Sequence, residues 1–221
     1  MIQRKPLREE LYREILARIE DGRLPAGRRI NESRLSSSLG LSRTPLREAM
    51  LGLEAQGFLV SDMGRGFMVP LMDAQEFTEI QVVLTELKPL ALSLSFPLPP
   101  GRIMELNNQL VSARRAAEKP GPGRPAALVN MVYRYSRLLL GTCANKLLAT
   151  DITRLDALAR RYWFETTVMG FDPTDYFASH DELYDLLRQD LREEAVHHWH
   201  GHIQRFSAEA ARHLPNPPLD G

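Results

Sequence analysis

The sequence predicts a mainly α-helical protein. Residues 1–70 are predicted to form three helices and a β-hairpin, and residues 71–221 are predicted to form helices alone. Two observations lead to this fold class. Apolar residues recur every three or four positions over most of the chain, as amphipathic helices require. The exception is residues 58–69, where two short apolar runs surround a Gly-rich centre, a pattern typical of a hairpin.

The first two helices are predicted from their apolar stripes and their end signals. Aliphatic residues recur every four positions from Leu7, and the helix runs to about Asp21, where Gly22 ends it. A short second helix follows Asn31, which is a good N-cap residue, and it ends at Gly40.

A third helix begins after Ser42, a second N-cap residue, and runs to about Gln56. Its predicted buried face consists of Leu46, Ala49, Met50 and Leu53. The runs 58–60 and 67–69 form the hairpin strands, and Pro70 ends the second one. Helix, helix, turn, helix and hairpin in this order are the elements of a winged helix-turn-helix.

The rest of the chain contains helical patterns only, separated by Pro- and Gly-rich segments. The predicted helical segments are about residues 73–95, 102–118, 127–141, 145–170 and 173–213. The last segment is predicted to split near Arg188–Asp190. Pro89 lies inside the first and is expected to kink or shorten it, because proline lacks the backbone N–H.

Composition excludes several classes of protein. No apolar run approaches the roughly 20 residues that span a bilayer, the N-terminus lacks an apolar signal core, and a single cysteine excludes an internal disulfide framework. These features predict a cytoplasmic location. The net charge of zero hides an asymmetry: residues 1–70 carry 12 Lys/Arg against 9 Asp/Glu, and residues 71–221 carry 16 against 19. The basic excess at the N-terminal end favours a nucleic-acid partner there.

The third helix carries the residues expected to contact that partner. Arg43 and Arg47 are four residues apart and therefore share one face, opposite the apolar stripe. Ser42 and Thr44 stand at the helix N-terminus, the end that approaches DNA in helix-turn-helix proteins. Hydroxyl and helix N–H groups there can bind phosphate, and an arginine can bridge guanine O6 and N7.

Arg65, between two glycines, is expected to project from the hairpin tip towards DNA, since glycines let the backbone approach closely. A simpler interpretation of the helix arginines is that Arg43 and Arg47 are solvated surface residues paired with Glu48 or Glu54. The whole arrangement, rather than the arginine pair, favours DNA binding.

Residues 22–30, 39–49 and 57–66 resemble the DNA-binding signature of the GntR family in order and spacing. The resemblance implies a dimeric transcription factor, usually a repressor, bound to a palindromic double-stranded operator. Seven residues occupy the DNA-contacting positions of that family: Ser42, Arg43, Thr44, Arg47, Gly64, Arg65 and Gly66.

The helical remainder resembles the FCD effector domain of FadR-type GntR proteins, and the resemblance implies an antiparallel helical bundle. It rests on the helix content, on Asn145-Lys146-Leu147-Leu148 after a helix, and on His180 and His202. Many FCD domains hold a divalent metal, such as zinc or nickel, with one Asp and three His. The Asp and first His positions are Val132 and Ser136 here. The resemblance therefore predicts a degenerate site and no metal cofactor. If a metal is bound, His180 and His202 are its expected ligands.

The family's effector-contacting Arg, four residues before Glu86, is Val82 here. The pocket is therefore expected to be more apolar than is usual and to have lost its cation. His180 and His202 either hydrogen-bond an effector or are core histidines, and both interpretations stay open. A cluster of histidines on the last helix consists of His197, His198, His200 and His202. Because His198 and His202 are four apart they offer a second metal pair, although surface histidines on an amphipathic helix explain the cluster more simply.

Two further groups have plain explanations. An aromatic group is predicted to serve core and interface packing rather than a ligand site: Tyr133, Tyr135, Tyr162, Trp163 and Phe164. Cys143 has no catalytic histidine at motif spacing, so it is not expected to act as a nucleophile.

The predicted function is a DNA-binding transcription regulator, not an enzyme, whose helical domain senses a small molecule and dimerises. Two alternatives come from other classes. One is a dimeric DNA binder with a bundle that senses nothing, and the other is a His-based metal-dependent enzyme that hydrolyses or isomerises a small acid. The enzyme needs a ligand set that Val132 and Ser136 do not supply, and the chain has no phosphate loop or nucleotide fingerprint.

Overall fold

A computed structural model of the chain describes residues 4–62, 66–118, 124–168 and 172–214. It divides into two compact units, Met1–Met72 and Asp73–Gly221, which are described separately below.

The N-terminal unit contains three helices and a two-stranded antiparallel sheet among its described residues. The elements are α1 (Arg4–Glu20), α2 (Glu32–Ser38), α3 (Arg43–Glu54), β1 (Val60–Asp62) and β2 (Gly66–Met68). The fold class predicted from the sequence is confirmed here. Helix α1 packs on α3 through Leu11, Ile15 and Ile19, whereas Leu7, in an early turn of α1, is 37% exposed.

The sheet pairs Val60 with Met68 and Asp62 with Gly66. A third segment that the sequence patterns did not predict joins its edge. The Ile30 amide donates to the Phe67 carbonyl at 2.8 Å, and the Gly27 amide donates to the Val69 carbonyl at 2.9 Å. The segment before α2 thereby fixes the base of the hairpin against the helices.

The helix ends follow the predicted signals with one difference. The Asn31 side chain accepts the Arg34 amide at 2.9 Å and caps α2. Gly40 and Gly57 take φ angles of +66° and +84° after α2 and α3, in the left-handed region that favours glycine. Ser42 holds the N-cap position of α3 with an extended backbone, but its side chain makes no capping hydrogen bond. Its hydroxyl is therefore exposed at the start of that helix.

The C-terminal unit is helical throughout its described residues. Its helices are α4 (Ala74–Ser93), α5 (Pro100–Ala117), α6 (Arg124–Leu140), α7 (Lys146–Val168), α8 (Thr174–Arg188) and α9 (Arg192–Ala211). The predicted split of the last segment is confirmed, with Asp190 at φ 58° in the break. The predicted shortening at Pro89 is wrong, because α4 continues past this buried proline for another turn, to Ser93, and the alternative of a kink stays a prediction. Asn145 caps α7 by accepting the Leu148 amide at 3.1 Å.

The bundle packs α4 against α7 and α9, and α5 against α6 and α8. Its core is a cluster of leucines and large aromatic side chains, including Tyr135, Tyr176, Trp199 and Phe206. Helices α4, α6, α7, α8 and α9 all contribute side chains to one internal cavity. Within the described residues, no helix is both long enough and apolar enough to cross a membrane.

Candidate DNA interface and ligand cavity

Helix α3 separates its residues into a buried and an exposed face. Leu46, Ala49, Met50 and Leu53 are fully buried, as predicted. Ser42, Arg43, Thr44 and Arg47 are all exposed on the opposite side, at the N-terminal half of the helix. The helix therefore presents two guanidinium groups and two hydroxyls together on one accessible surface.

The two arginines are held by the first turn of α2. The Arg43 Nη2 donates to the Ser33 Oγ at 2.5 Å, and the Arg47 Nη1 lies 3.7 Å from the Glu32 Oε2. The Arg47 guanidinium also lies 5.7 Å from the centre of the Phe67 ring, in the second strand of the hairpin. These partners differ from the glutamates considered in the sequence analysis. Surface ion pairs of this kind are weak, so both side chains can exchange their partners for nucleic acid.

Glu54, one of those two glutamates, instead accepts the Ser61 amide at 2.9 Å and so fixes the first hairpin strand. Gly66 begins β2 at φ +90°, and a Cβ atom there would lie 3.3 Å from the Glu32 Oε1. Both the backbone angle and the close carboxylate favour glycine at this position. The predicted contacts Gly64 and Arg65 lie outside the described residues.

The C-terminal unit holds a cavity of about 40 Å³ between helices α4, α6, α7, α8 and α9. The lining is mostly aromatic and aliphatic, with a few polar groups. The lining residues are Gln81, Lys88, Val129, Val132, Tyr133, Ser136, Asp156, Arg160, Trp163, Tyr176, Trp199, His202, Ile203 and Phe206. This composition is typical of a small-molecule site.

A buried ion pair is the main polar feature of the cavity. The Lys88 Nζ lies 2.5 Å from the Asp156 Oδ1, and the side chains are 11% and 9% exposed. The Ser136 hydroxyl donates to the other oxygen, Asp156 Oδ2, at 2.7 Å. Burial of a lone charge would be costly, and this pairing together with the hydroxyl offsets the desolvation of the carboxylate.

Two other polar side chains face the same space. Gln81 is 5% exposed, and its Nε2 has no hydrogen-bond partner in the structure. Arg160 donates from Nη2 to the Asn130 Oδ1, and its guanidinium lies 5.0 Å from the centre of the Tyr133 ring. An amide donor without a partner at a cavity wall is available to a ligand.

His180 and His202 come together as predicted, with ring centres 4.4 Å apart. His202 lines the cavity and its Nδ1 lies 2.9 Å from the Ser179 Oγ. His180 is not among the lining residues, and its Nδ1 donates to the Tyr176 carbonyl at 2.9 Å. Burial lowers the pKa of His180 to about 3 and lowers the pKa of His202 well below its ordinary value. Both imidazoles are therefore neutral near pH 7.

A second network joins α7 to the start of α4. Arg161, 3% exposed, places its Nη2 2.6 Å from the Glu76 Oε2, and the Tyr162 hydroxyl donates to the same oxygen. The Asp73 amide donates to the Tyr162 hydroxyl at 3.4 Å. Phe77 packs against Tyr162 and Trp163, with ring centres 5.3 and 5.9 Å away. The turn of α7 that lines the cavity thus also contacts the first turn of α4.

Each half of the chain matches the model of a known protein family. The family model described as "Bacterial regulatory proteins, gntR family" matches residues 7–69, and the model of the FCD domain matches residues 79–205. The chain belongs to the GntR family and carries an FCD domain. Members of this family are DNA-binding transcription regulators.

Two individual relatives of the chain are also described as HTH-type transcriptional regulators. The chain is 38% identical over 85 residues to YdhC of Bacillus subtilis, an uncharacterized HTH-type transcriptional regulator; the match covers 38% of each chain. It is 32% identical over 114 residues to the HTH-type transcriptional regulator McbR of Escherichia coli, over 51% of each chain. The matched part of this chain therefore spans about half, or less, of the length of these curated relatives.

Two solved structures share the fold. The structure titled E. coli McbR/YncC superposes with a TM-score of 0.81 at 22% identity and covers 96% of this chain and 99% of that one. A GntR transcriptional regulator from Rhodococcus sp. RHA1 gives a TM-score of 0.79 at 17% identity and covers 94% of this chain and 99% of that one.

The metal positions of the FCD resemblance do not fit a metal in this GntR protein. Val132 supplies no donor atom, and the Ser136 hydroxyl is engaged with Asp156. His180 and His202 remain, and two imidazoles alone make an incomplete site. The described residues contain no cluster of three or more His, Cys, Asp or Glu side chains arranged to hold a metal ion. A dication would also face the ammonium group of Lys88 in the same cavity.

His198 and His202 both contact Ser179. His198 Nε2 donates to the Ser179 carbonyl at 2.8 Å and lies 3.1 Å from the Ser179 Oγ, which His202 Nδ1 also contacts. His198 is 15% exposed at its side chain, so the simple explanation as a surface histidine is wrong for this residue. His200, 39% exposed and 3.3 Å from Glu86, fits that explanation.

Lys88 and Asp156 were missed in the sequence analysis. Val82, at the family's arginine position, is 63% exposed and does not line the cavity; Lys88, six residues later on α4, supplies the cation instead. The expected loss of the pocket's cation is therefore wrong. The helical stripe could have signalled Lys88, because it falls beside the buried positions Leu84 and Leu92.

The packing role predicted for the aromatic group is seen for two of its members, whereas two others face the cavity. Tyr135 and Tyr162 are fully buried in the core, whereas Tyr133 and Trp163 line the cavity. Cys143 is buried, and its thiol contacts the Asn145 carbonyl at 3.7 Å.

Proposed function

We propose that this protein binds a two-fold symmetric DNA operator as a homodimer and that a small molecule in the C-terminal cavity changes its affinity for that operator. The observation that carries the proposal is the exposed face of α3, where Arg43 and Arg47 stand beside the hydroxyls of Ser42 and Thr44. Repression is the regulatory outcome that we expect.

In this proposal two pairs of residues at the start of α3 contact different parts of the DNA. Ser42 and Thr44, near the first N–H groups of the helix, contact phosphate and set its position. Arg43 and Arg47 reach base edges, where an arginine can donate two hydrogen bonds to one guanine. The hairpin supplies further contacts through Gly64, Arg65 and Gly66.

The cavity supports a sensing role for the C-terminal unit, since it combines apolar walls with a few oriented polar groups. The cavity argues against a bundle that only dimerises. A core that binds no ligand would be expected to contain neither a buried ion pair nor a buried amide without a hydrogen-bond partner. Any ligand that displaces Arg160 or Trp163 also acts on Arg161 and Tyr162, which hold Glu76 at the start of α4. Because α4 follows the DNA-binding unit directly in the chain, this network is our candidate route for regulation.

The enzyme alternative has one feature in its favour, the group of Ser179, His198 and Glu182. The geometry opposes catalysis. The His198 Nε2–H donates to a backbone carbonyl at 2.8 Å, so that nitrogen has no lone pair available to take a proton from the serine hydroxyl. Ser179 also lies within α8, where the neighbouring amides are engaged in helix bonds and cannot form an oxyanion hole. We infer that the protein is not an enzyme.

Dimerisation follows from the symmetry of helix-turn-helix operators, in which two half-sites bind two recognition helices. Helix α4 exposes Val82, Val83 and Leu90, and its C-cap residue Leu94 is exposed as well, which is the kind of apolar surface that interfaces bury. We expect light scattering at micromolar concentration to report about twice the 25.1 kDa chain mass. A monomer both free and on DNA would contradict the proposal.

The decisive experiment is selection of DNA from a random double-stranded pool by the full chain. We expect an inverted repeat to be enriched by the wild-type protein and not by the Arg43→Ala/Arg47→Ala variant. Enrichment of the same repeat by both proteins would refute the assignment of α3. Small molecules can then be tested for their effect on the selected operator.

A further inference from the structure

We propose that Glu54 is a positioning residue for DNA binding. Its carboxylate aligns the hairpin with α3, so that the hairpin and the exposed face of α3 contact one operator together. This inference rests on the proposed function, because it assigns the residue that aligns two of the proposed DNA-contacting elements.

The hydrogen bond made by Glu54 lies on the outer edge of the hairpin. Ser61 pairs with Phe67 across the two strands. The Phe67 carbonyl accepts the Ile30 amide at 2.8 Å, so the backbone groups of Phe67 face the segment before α2 and not β1. In such a pair the backbone groups of the opposite residue also point outward, so the Ser61 amide faces away from β2. The Glu54 Oε1 accepts this outward-facing amide at 2.9 Å.

The hairpin is therefore held from both sides at the level of a single residue pair. The segment before α2 binds the Phe67 side, and the last residue of α3, Glu54, binds the Ser61 side. The N-terminal half of that same helix carries the proposed base contacts. Arg65, the proposed hairpin contact, follows the end of β1 in the chain. Glu54 thus links the helix that reads bases directly to the strand that leads to Arg65.

This hydrogen bond is better suited to alignment than to holding the fold together. Ser61 is exposed and Glu54 is half-buried, so water can replace the bond at little cost in stability. The base of the hairpin is anchored separately by Phe58, Leu59 and Phe67, which are buried. Loss of the bond should therefore leave the unit folded but allow the hairpin to shift. Binding groups must be held within about 0.5 Å of their productive positions, so a small shift is enough to weaken binding.

The sign of the effect distinguishes alignment from simple electrostatics. DNA is a polyanion, so removal of a carboxylate from the DNA-binding unit should by itself strengthen binding. If Glu54 aligns the hairpin, Glu54→Ala should instead weaken operator binding, by about fivefold. Glu54→Gln removes the same charge but keeps an oxygen that can accept the Ser61 amide. It should therefore bind the operator at least as tightly as the wild type does.

The experiment is a titration of the selected operator with full-length variants at one fixed salt concentration. Glu48→Ala is the matched control, because Glu48 is an exposed carboxylate on the same helix, and it should not weaken binding. Glu54→Ala is then combined with Arg65→Ala and, separately, with Arg47→Ala. Because Glu54 is proposed to act through the hairpin, its substitution should weaken binding by less than about twofold once Arg65 is absent. With Arg47→Ala the two effects should multiply, as they do for independent sites.

A second measurement needs no DNA. Amide hydrogen exchange of the free protein should be faster at Ser61 in Glu54→Ala than in the wild type, and Glu54→Gln should restore the slower exchange. The Ile30 amide, on the other edge of the hairpin, should exchange at the same rate in all three proteins. Urea unfolding checks that the variants are folded.

Three results would overturn the inference: weakening by Glu54→Gln as large as that by Glu54→Ala, an equal effect of Glu54→Ala with and without Arg65, or unchanged exchange at Ser61 in Glu54→Ala. The proposed function fails by different results. If the wild type selects no operator, the proposed function falls and this inference falls with it. If the α3 arginines and Arg65 are needed for affinity but Glu54→Ala has no effect, the proposed function stands and only the role of Glu54 falls.

Discussion

The exposed face of α3 and the cavity of the bundle are built in opposite ways. The proposed DNA contacts Ser42, Arg43, Thr44 and Arg47 lie within six consecutive positions at the start of α3, and they are accessible because the same helix buries its other face. The cavity draws its polar groups from four helices, α4, α6, α7 and α9, and groups on different helices meet only by packing, although Asp156 and Arg160 are four positions apart on α7. A local pattern is enough to recognise the first site, whereas the second exists only after the helices have packed.

The two sites also differ in how deeply their charged side chains are buried. Arg47 stays 59% exposed beside its ion-pair partner, so water screens the interaction, while Lys88 and Asp156 are almost entirely buried. Removing a charge should therefore have a small effect on the stability of the N-terminal unit and a large one on that of the bundle.

The largest effect is expected from the buried face of α3. Leu46 is fully buried, and Leu46→Ala should lower the free energy of unfolding of the N-terminal unit by about 2–5 kcal/mol, since it leaves a cavity in a packed core. Operator binding should be lost with it. Leu51→Ala is the control, because Leu51 is 52% exposed on the same helix. Urea unfolding followed by circular dichroism measures both. Equal losses in the two variants would mean that α3 is not oriented as described.

Substitutions on the exposed face of α3 should weaken operator binding and leave the stability almost unchanged. Arg43→Ala or Arg47→Ala should cost about 1–3 kcal/mol of operator affinity and leave the unfolding free energy within about 0.5 kcal/mol. Titration of labelled operator at fixed salt measures the affinity. Arg188→Ala, an exposed arginine of the bundle, is the control for the loss of one positive charge. Unchanged affinity in both α3 variants would remove the recognition-helix assignment.

The bundle should lose stability in mild acid. The pKa of His180 is lowered to about 3 and that of His202 is lowered too, mainly by burial, with Lys88 and His198 acting in the same direction. In the unfolded chain a histidine has a pKa of about 6.5, so the unfolded state binds protons first as the pH falls. Stability is therefore complete above about pH 6.5 and declines below it. Between pH 7 and pH 5.5 each histidine should account for about 1 kcal/mol.

Tryptophan fluorescence follows this loss selectively, because Trp163 and Trp199 both lie in the bundle. Urea unfolding at the two pH values should give a smaller difference for His202→Gln than for the wild type. His197→Gln, at an exposed position of α9, should behave as the wild type does. A pH dependence that is the same in all three proteins would show that the buried imidazole does not titrate as described.

The smallest effect is expected from the partner of Arg47. Glu32→Gln removes the carboxylate 3.7 Å from the guanidinium, and because Arg47 is 59% exposed the pair should contribute less than about 1 kcal/mol. Discrimination between the operator and a scrambled duplex should fall less than about fivefold, since Arg47 is then less restrained. Glu48→Gln, an exposed change on α3, provides the matched loss of charge. A loss as large as that of Arg47→Ala would give Glu32 a direct part in binding.

The sequence by itself determined the N-terminal fold and the split between α8 and α9. Each depends on signals a few residues long: apolar spacing, N-cap residues and glycines at helix ends. The resemblance to the GntR signature likewise depended on contiguous residues. The continuation of α4 through Pro89 was not predictable in this way, because packing in the core outweighed the local preference of proline.

Only the tertiary structure decided the chemistry of the cavity. The ion pair joins Lys88 of α4 to Asp156 of α7, 68 positions apart in the chain, and Ser136 of α6 completes it. No local sequence pattern predicts which residue Lys88 pairs with, because a lysine or an aspartate on a helix is ordinarily solvated. Val82 is the opposite case. Its position in the family pattern suggested that it lines the pocket, but its position on the helix directs its side chain outward. Burial creates the charge balance of the cavity, and burial is a property of the packed helices.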